Sequence, residues 1–192
     1  MNQSNLLDYL RRRLDQHQPR RVSQPNLAEA GVLVALTDEK DPRVLLTRRS
    51  MQLSSHKGEV AFPGGKRDNA DPNIICTALR EAEEEVCLPS NKIDVVGEMD
   101  QVVSLHGYLV TPILGVISPE QRFKANKDEL DAIFQVPLSH FLQPPVSYFE
   151  RGNIRIPTYQ YQDFRIWGLT AMMIAEMMNH LYDSNIPYRI PL

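Results

Sequence analysis

Arg80, Glu81, Glu84 and Glu85 sit in one stretch, 73–87, whose pattern is helical. With Glu81 at zero on a wheel of about 100° per residue, Glu84 and Glu85 fall near −60° and +40°, and Glu83 points away near 200°. Ile75, Leu79, Ala82 and Val86 fall between about 100° and 160°, an apolar stripe that anchors the helix beside its acid face. Gathering three carboxylates costs energy, since like charges 4 Å apart repel by about 4 kcal/mol at an effective dielectric near 20. A divalent cation reverses that sign, and hard oxygen ligands select Mg2+ or Mn2+. A solvated acidic helix face is the competing reading. The Gly64-Gly65 turn just upstream favours chemistry, because glycine lets a carbonyl join a metal or an amide meet a phosphate. Arg80, one turn before Glu84, has the spacing of an ion pair that would fix a carboxylate's direction.

A helix carrying such a face needs a sheet behind it. Residues 30–37 and 43–47 read as apolar strands separated by a turn, and 59–62 as a short third strand running into Pro63. Further strands are expected near 93–103 and 109–117, β segments near 132–136 and 154–166, and a closing helix over 167–183. Strands on both sides of a central helix predict an α/β (α+β) fold, an α/β/α sandwich with a mixed sheet. Leu6, Leu7, Leu10 and Leu14 at helical spacing predict an amphipathic surface helix over 4–17, with Arg11, Arg12 and Arg13 on its other faces. This divides the chain into an N-terminal helix and linker, 1–29, and one domain, 30–192. Met172, Met173, Met177, Met178 and Leu181, with Trp167, make the closing helix largely apolar. Core packing is the favoured explanation, and a homodimer seam the alternative.

The chain has 192 residues, with 21 Lys and Arg against 24 Asp and Glu, a formal charge of −3. That balance speaks against bulk nucleic-acid binding, and the cluster from Arg11 to Arg21 reads as a solvated face. The densest apolar stretch, 167–182, is interrupted by Glu176, Asn179 and His180, so no membrane span is expected. Leu6 and Leu7 lead into Asp8 and arginines rather than into the apolar core of a signal peptide. Cys76 and Cys87 would lie about 16 Å apart along one helix, too far for a bridge. Free thiols and the missing targeting signals together predict a cytoplasmic protein. No histidine pair has metal-site spacing, so His56 and His106 read as loop residues.

The stretch 65–88 resembles the Nudix box, G-x(5)-E-x(7)-R-E-U-x-E-E-x-G-U, with U a bulky aliphatic residue. Gly65, Arg80, Glu81, Glu84, Glu85 and Leu88 fall on its positions, and Ala82 is a small U. Asp71 stands where the first Glu belongs, the spacer after it is one residue longer, and Cys87 replaces the glycine. The run 45–65 is similar to the signature of the coenzyme A pyrophosphatase branch. It matches at Leu45, Leu46, Thr47, Arg49, Ser50, Gly58, Phe62, Pro63, Gly64 and Gly65, and departs where Ser54 replaces an arginine. The stretches 104–117, 128–138 and 167–171 are also similar to that branch.

The resemblance implies a Nudix-type sandwich that hydrolyses a nucleoside diphosphate linked to another moiety. Coenzyme A leads as substrate, giving 3′,5′-ADP and 4′-phosphopantetheine. Glu81 and Glu85 are the expected principal ligands of Mg2+ or Mn2+, joined by Glu84 and the Gly64 carbonyl. Arg80 fixes the acid face, and the catalytic base is Glu81 or Glu129. Arg49, Lys57, Lys66 and Arg67 flank the glycines as candidate phosphate donors. Serine cannot supply the fork of the arginine it replaces at 54, which favours ADP-ribose or a dinucleotide as the alternative conjugate. RNA cap removal and a non-enzymatic nucleotide sensor rank below both.

Overall fold

Residues of both parities along 28–37 are apolar because this strand, β1 (Ala28–Thr37), lies at the centre of a sheet covered on both faces. The computed structural model describes residues 6–24, 26–53 and 55–189. Strand β1 runs parallel to β7 (Tyr108–Ile117), with Ala28 opposite Tyr108 and Thr37 opposite Ile117. Its other edge pairs antiparallel with β2 (Arg43–Arg49) and β4 (Gly64–Lys66). Strand β2 is flanked by β3 (Val60–Ala61) and β8 (Leu130–Pro137), and β7 by β5 (Asp94–Glu98) and β6 (Val102–Val103). A parallel pair among antiparallel neighbours makes the sheet mixed, as the sequence predicts. A smaller antiparallel sheet follows, made of β9 (Ser147–Arg151), β10 (Ile154–Tyr161) and β11 (Phe164–Ile166).

Helices cover the two faces. Helix α2 (Ile74–Val86) packs over Leu33, Ala35, Leu45 and Ile113, while α3 (Gly168–Tyr182) packs over Val34, Leu36, Leu46 and Leu114. Alternate residues of each strand therefore serve opposite layers, the strand period at work. Helix α1 (Leu6–Asp15) joins the α3 side and buries Leu10 completely. The result is an α/β/α sandwich. Asn73 starts α2 by accepting the Cys76 N–H at 2.9 Å, a side-chain cap for an otherwise unpaired donor. Gly31 lets α2 approach, since a Cβ there would stand 2.7 Å from the Ile74 carbonyl oxygen.

The differences from the sequence reading have local causes. Gly64 and Gly65 do not form a turn; they lie in β4, opposite Val32 and Gly31. Glycine's weak strand preference hides a pairing that the close approach to Gly31 makes necessary. The stretch 93–103 divides into β5 and β6, with a register shift between Val95 and Gly97. The stretch 154–166 is a hairpin turning at Gln162, whose φ is 50°. Strand β9 escapes detection because its side chains are largely exposed and carry no apolar pattern. Helix α1 is shorter than expected, and positions 4 and 5 lie outside the described residues. Met172, Met173, Met177, Met178 and Leu181 are all buried, in keeping with core packing, whereas Trp167 remains 43% exposed. Among the described residues no helix is long and apolar enough to cross a membrane.

Candidate active site

Helix α2 delivers Arg80, Glu81, Glu84 and Glu85 to one end of the sheet, and Arg80 organises them. Its Nε and Nη2 donate to the two oxygens of Asp71, both at 3.0 Å, a bidentate fork. Its Nη1 then reaches Glu81 at 2.9 Å and Glu84 at 3.0 Å. The pairing with Glu84 is the one the helical spacing predicts. The Arg80 fork holds the buried Asp71 carboxyl well below the usual carboxylate range and keeps Arg80 protonated. Asp71 is thus the anchor from which the acid face is oriented.

Glu85 is in the opposite condition. It is 3% exposed, accepts the Gly64 N–H at 3.2 Å, and has Arg49 Nη1 at 4.0 Å. Desolvation, reinforced by Glu129 and Glu81, pushes its carboxyl up to about 8, against the Gly64 amide and Arg49. Burial also raises Glu81, with Glu84 and Glu129 adding to the effect. Gly65 leaves room for Glu81: a Cβ there would stand 2.6 Å from both carboxylate oxygens. Glu129 is steadied by Asn126 Nδ2 at 3.1 Å, and its carbonyl accepts the Ser50 N–H at 2.8 Å. Three acids, two from α2 and one from the turn before β8, therefore act on one another across this end of the molecule.

The flanking cations divide into two kinds. Arg49 stands beside Glu85 with its Nε buried and without a hydrogen-bond partner. Lys57 and Lys66 are exposed. Arg67 is already engaged, to Glu29 at 2.6 Å and to the carbonyls of Asp71 and Pro72 at 3.3 and 3.2 Å. Gly64 meets Glu85 through its N–H. Ser54 lies outside the described residues.

A family model of the NUDIX domain matches residues 28–154. The chain belongs to the Nudix family. It is 40% identical over 157 residues to proteins named "Uncharacterized Nudix hydrolase NudL" from Shigella boydii serotype 4 and Escherichia coli O1:K1, covering 79% of this chain and 82% of each relative. The fold is shared with a MutT/nudix family protein from Enterococcus faecalis, at a TM-score of 0.51 and 17% identity over 95% of this chain and 70% of that one. It is also shared with the Nudix hydrolase RenU from M. smegmatis, at a TM-score of 0.50 and 22% identity over 59% of this chain and 72% of that one. Nudix hydrolases act on small nucleotide-linked substrates and generally use divalent metals. The acid face fits such an ion: its donors are hard carboxylate oxygens, and buried Glu85 faces more negative than positive charge.

Cys87 explains one departure from the Nudix pattern. It caps α2 in the left-handed region at φ 54°, and its N–H points back to the carbonyls of Ala82 and Glu83. Glycine suits that conformation, and cysteine adopts it at a cost.

Sequence reasoning missed a second polar cluster on the α3 side. His17, Asp100 and His180 place one ligand atom each within 4.8 Å of one another. These residues come from the linker after α1, the β5–β6 connection and the last turn of α3, so no local spacing announces them. The basic N-terminal segment is not simply a solvated face. Arg13 pairs with Asp183 at 2.7 Å, Arg20 with Glu176 at 2.9 Å, and Arg21 with Glu98, while Arg11 and Arg12 stay exposed.

Proposed function

We propose that this Nudix hydrolase cleaves the P–O–P bridge of coenzyme A or its derivatives, releasing 3′,5′-ADP and 4′-phosphopantetheine, with Mg2+ or Mn2+. The observation that carries the catalytic part is Glu85. A carboxyl so buried, pushed up to about 8 and faced by Glu81 and Glu129, is an arrangement that a dication would relieve. Glu81 and Glu85 are the principal metal ligands, with Glu84 and the Gly64 carbonyl completing the set. When bound, the ion neutralises diphosphate charge and makes water a better nucleophile at neutral pH.

The chain's own residues do the remaining work. Asp71 fixes Arg80, and Arg80 in turn fixes the directions of Glu81 and Glu84. Arg49, whose side chain is 28% exposed beside Glu85, binds a phosphate oxygen of the substrate. Lys57 and Lys66 add positive charge at the rim, and Arg67 holds the β4–α2 connection to Glu29. A carboxylate oxygen of Glu129 or of Glu81 accepts the proton of the attacking water. Diphosphate hydrolysis needs this positioning and charge balance more than covalent catalysis.

The coenzyme A preference rests on the run 45–65, and ADP-ribose or a dinucleotide is the alternative that Ser54 favours. Chromatographic analysis of products from coenzyme A, ADP-ribose and a dinucleotide, each with Mg2+ and Mn2+, decides between them. Metal-dependent release of 3′,5′-ADP at the highest kcat/KM supports coenzyme A. Turnover of another conjugate alone replaces it.

A further inference from the structure

On the other side of the β2–β3 end lies a groove of about 400 Å³, lined by Arg48, Met51, Asp163, Phe164, Arg165 and Trp167. A smaller hollow of about 230 Å³ shares its Arg165 and Trp167 wall. The floor is built rather than incidental. Phe164 stacks on Phe134 with ring centroids 3.7 Å apart and planes 7° from parallel, and the Arg48 guanidinium lies over Phe164 at 5.3 Å. The Nε of Arg48 is buried with no hydrogen-bond partner. The Arg165 guanidinium stands 6.0 Å from the Trp167 ring. Among the described residues neither arginine has a carboxylate ion pair, although Asp163 lines the same groove.

The groove and the proposed active site adjoin at the end of β2, one on each side of the strand. Arg48 and Arg49 are consecutive at the end of β2, about 3.8 Å apart at their Cα atoms, and a register shift separates them. Arg49 faces Glu85, and Arg48 faces the groove. A substrate with its diphosphate at Arg49 would reach Arg48 by passing the β2–β3 connection, where Gly58 N–H donates to the Arg49 carbonyl at 3.1 Å. Exposed indole beside planar guanidinium groups suits an aromatic base next to a phosphate: the ring stacks, and the fork takes two oxygens. Asp163 offers an acceptor for an exocyclic amine or a ribose hydroxyl.

We infer that this groove is the subsite for the phosphorylated nucleoside end of the substrate. Trp167 stacks on the base, and Arg48 and Arg165 hold a phosphomonoester that lies outside the scissile bridge. The inference deepens the reading of this Nudix site as acting on coenzyme A, and it supplies forked donors that Ser54 does not.

Trp167 is the chain's single tryptophan, so its fluorescence reports occupancy directly. In the wild-type protein, 3′,5′-ADP is expected to quench it with an affinity at least about tenfold above that of 5′-AMP, the difference being the charge-assisted contacts of Arg48 and Arg165 to the extra phosphate. The advantage should disappear in Arg48→Gln/Arg165→Gln. Arg165→Gln alone, which leaves the Arg48–Phe164 stack intact, should lose part of it. In parallel, the kcat/KM ratio of coenzyme A to dephospho-coenzyme A should fall towards one in the double variant. Equal quenching by the two nucleotides overturns the inference, as does an unchanged ratio in a folded double variant. Burial of Trp167 by self-association at assay concentrations also overturns it. Preference for 3′,5′-ADP without coenzyme A hydrolysis keeps the groove and removes the substrate reading. Hydrolysis with no preference for the extra phosphate does the reverse.

Discussion

Asp100 and Glu85 are buried to nearly the same degree, at 4% and 3% exposed, on opposite sides of the sheet. Asp100 accepts from His17 at 2.6 Å and from the Arg20 backbone N–H at 2.7 Å, with His180 at 3.5 Å. Burial is the largest single influence on it. Contacts from His180, Arg20 and His17 nevertheless outweigh that influence and hold its carboxyl well below the usual range. Glu85 has one backbone N–H and an arginine at 4.0 Å, and its carboxyl moves the other way. One acid is satisfied by the chain and ties the N-terminal arm to α3. The other has few partners in the chain and stays raised. Burial alone therefore does not set the direction in which a carboxyl shifts; the balance of its partners does.

The strongest way to break this contrast is to neutralise each acid. Glu85→Gln should reduce turnover by about a thousandfold, some 4 kcal/mol of barrier, while the melting temperature without metal holds or rises. Glu81→Gln should also cost orders of magnitude in turnover. Near-normal turnover in both variants would remove them from the catalytic machinery.

Asp100→Asn should do the opposite, lowering stability in urea by about 3 kcal/mol with activity per folded molecule retained. Loss of activity without loss of stability would mean that the α3-side cluster is not merely structural.

Proton linkage sharpens the same contrast. The Asp100 carboxyl is depressed, so its contribution is present above the ordinary carboxylate range and is lost as pH falls from that range towards the depressed value. His180 is raised, chiefly by its contact with Asp100. Its contribution is full below about 6.5 and is lost as pH rises through the raised value. The difference in melting temperature between wild type and Asp100→Asn should therefore peak near pH 5–6 and shrink towards both pH 3 and pH 9. A difference that does not vary with pH would show that these ionisations do not hold the arm.

The smallest expected effect is at the cap of α2. Cys87→Gly should stabilise the protein by about 1 kcal/mol by relieving the left-handed conformation. A calorimetric decrease would mean that the thiol makes a contact worth more than the strain.

Legibility in the sequence followed the range of the interaction. The acid face was readable because Glu81, Glu84 and Glu85 share one helix, where a period of 3.6 residues fixes which side chains are neighbours. The Arg80–Glu84 pair was readable for the same reason. Asp71 could be placed against the Nudix pattern, but its grip on Arg80 depends on how the loop before α2 folds back. Strand β4 was lost because two glycines carry no apolar signal, and β9 because its side chains are exposed. The long apolar strands β1 and β7 and the methionine-rich α3 were legible because burial demands their composition.

Composition and local periodicity by themselves determined the sandwich, its central acid helix and the apolar closing helix. Each is dictated by residues within a few turns or one strand of one another. Only the tertiary structure decided that Glu85 is short of partners while Asp100 is not. It also decided that Arg20 and Arg21 are spent on internal pairs while Arg48 and Arg49 face opposite sides of one strand end. A pKa, an ion pair or a groove depends on distances between segments far apart in the chain, and those distances exist only after the sheet has assembled.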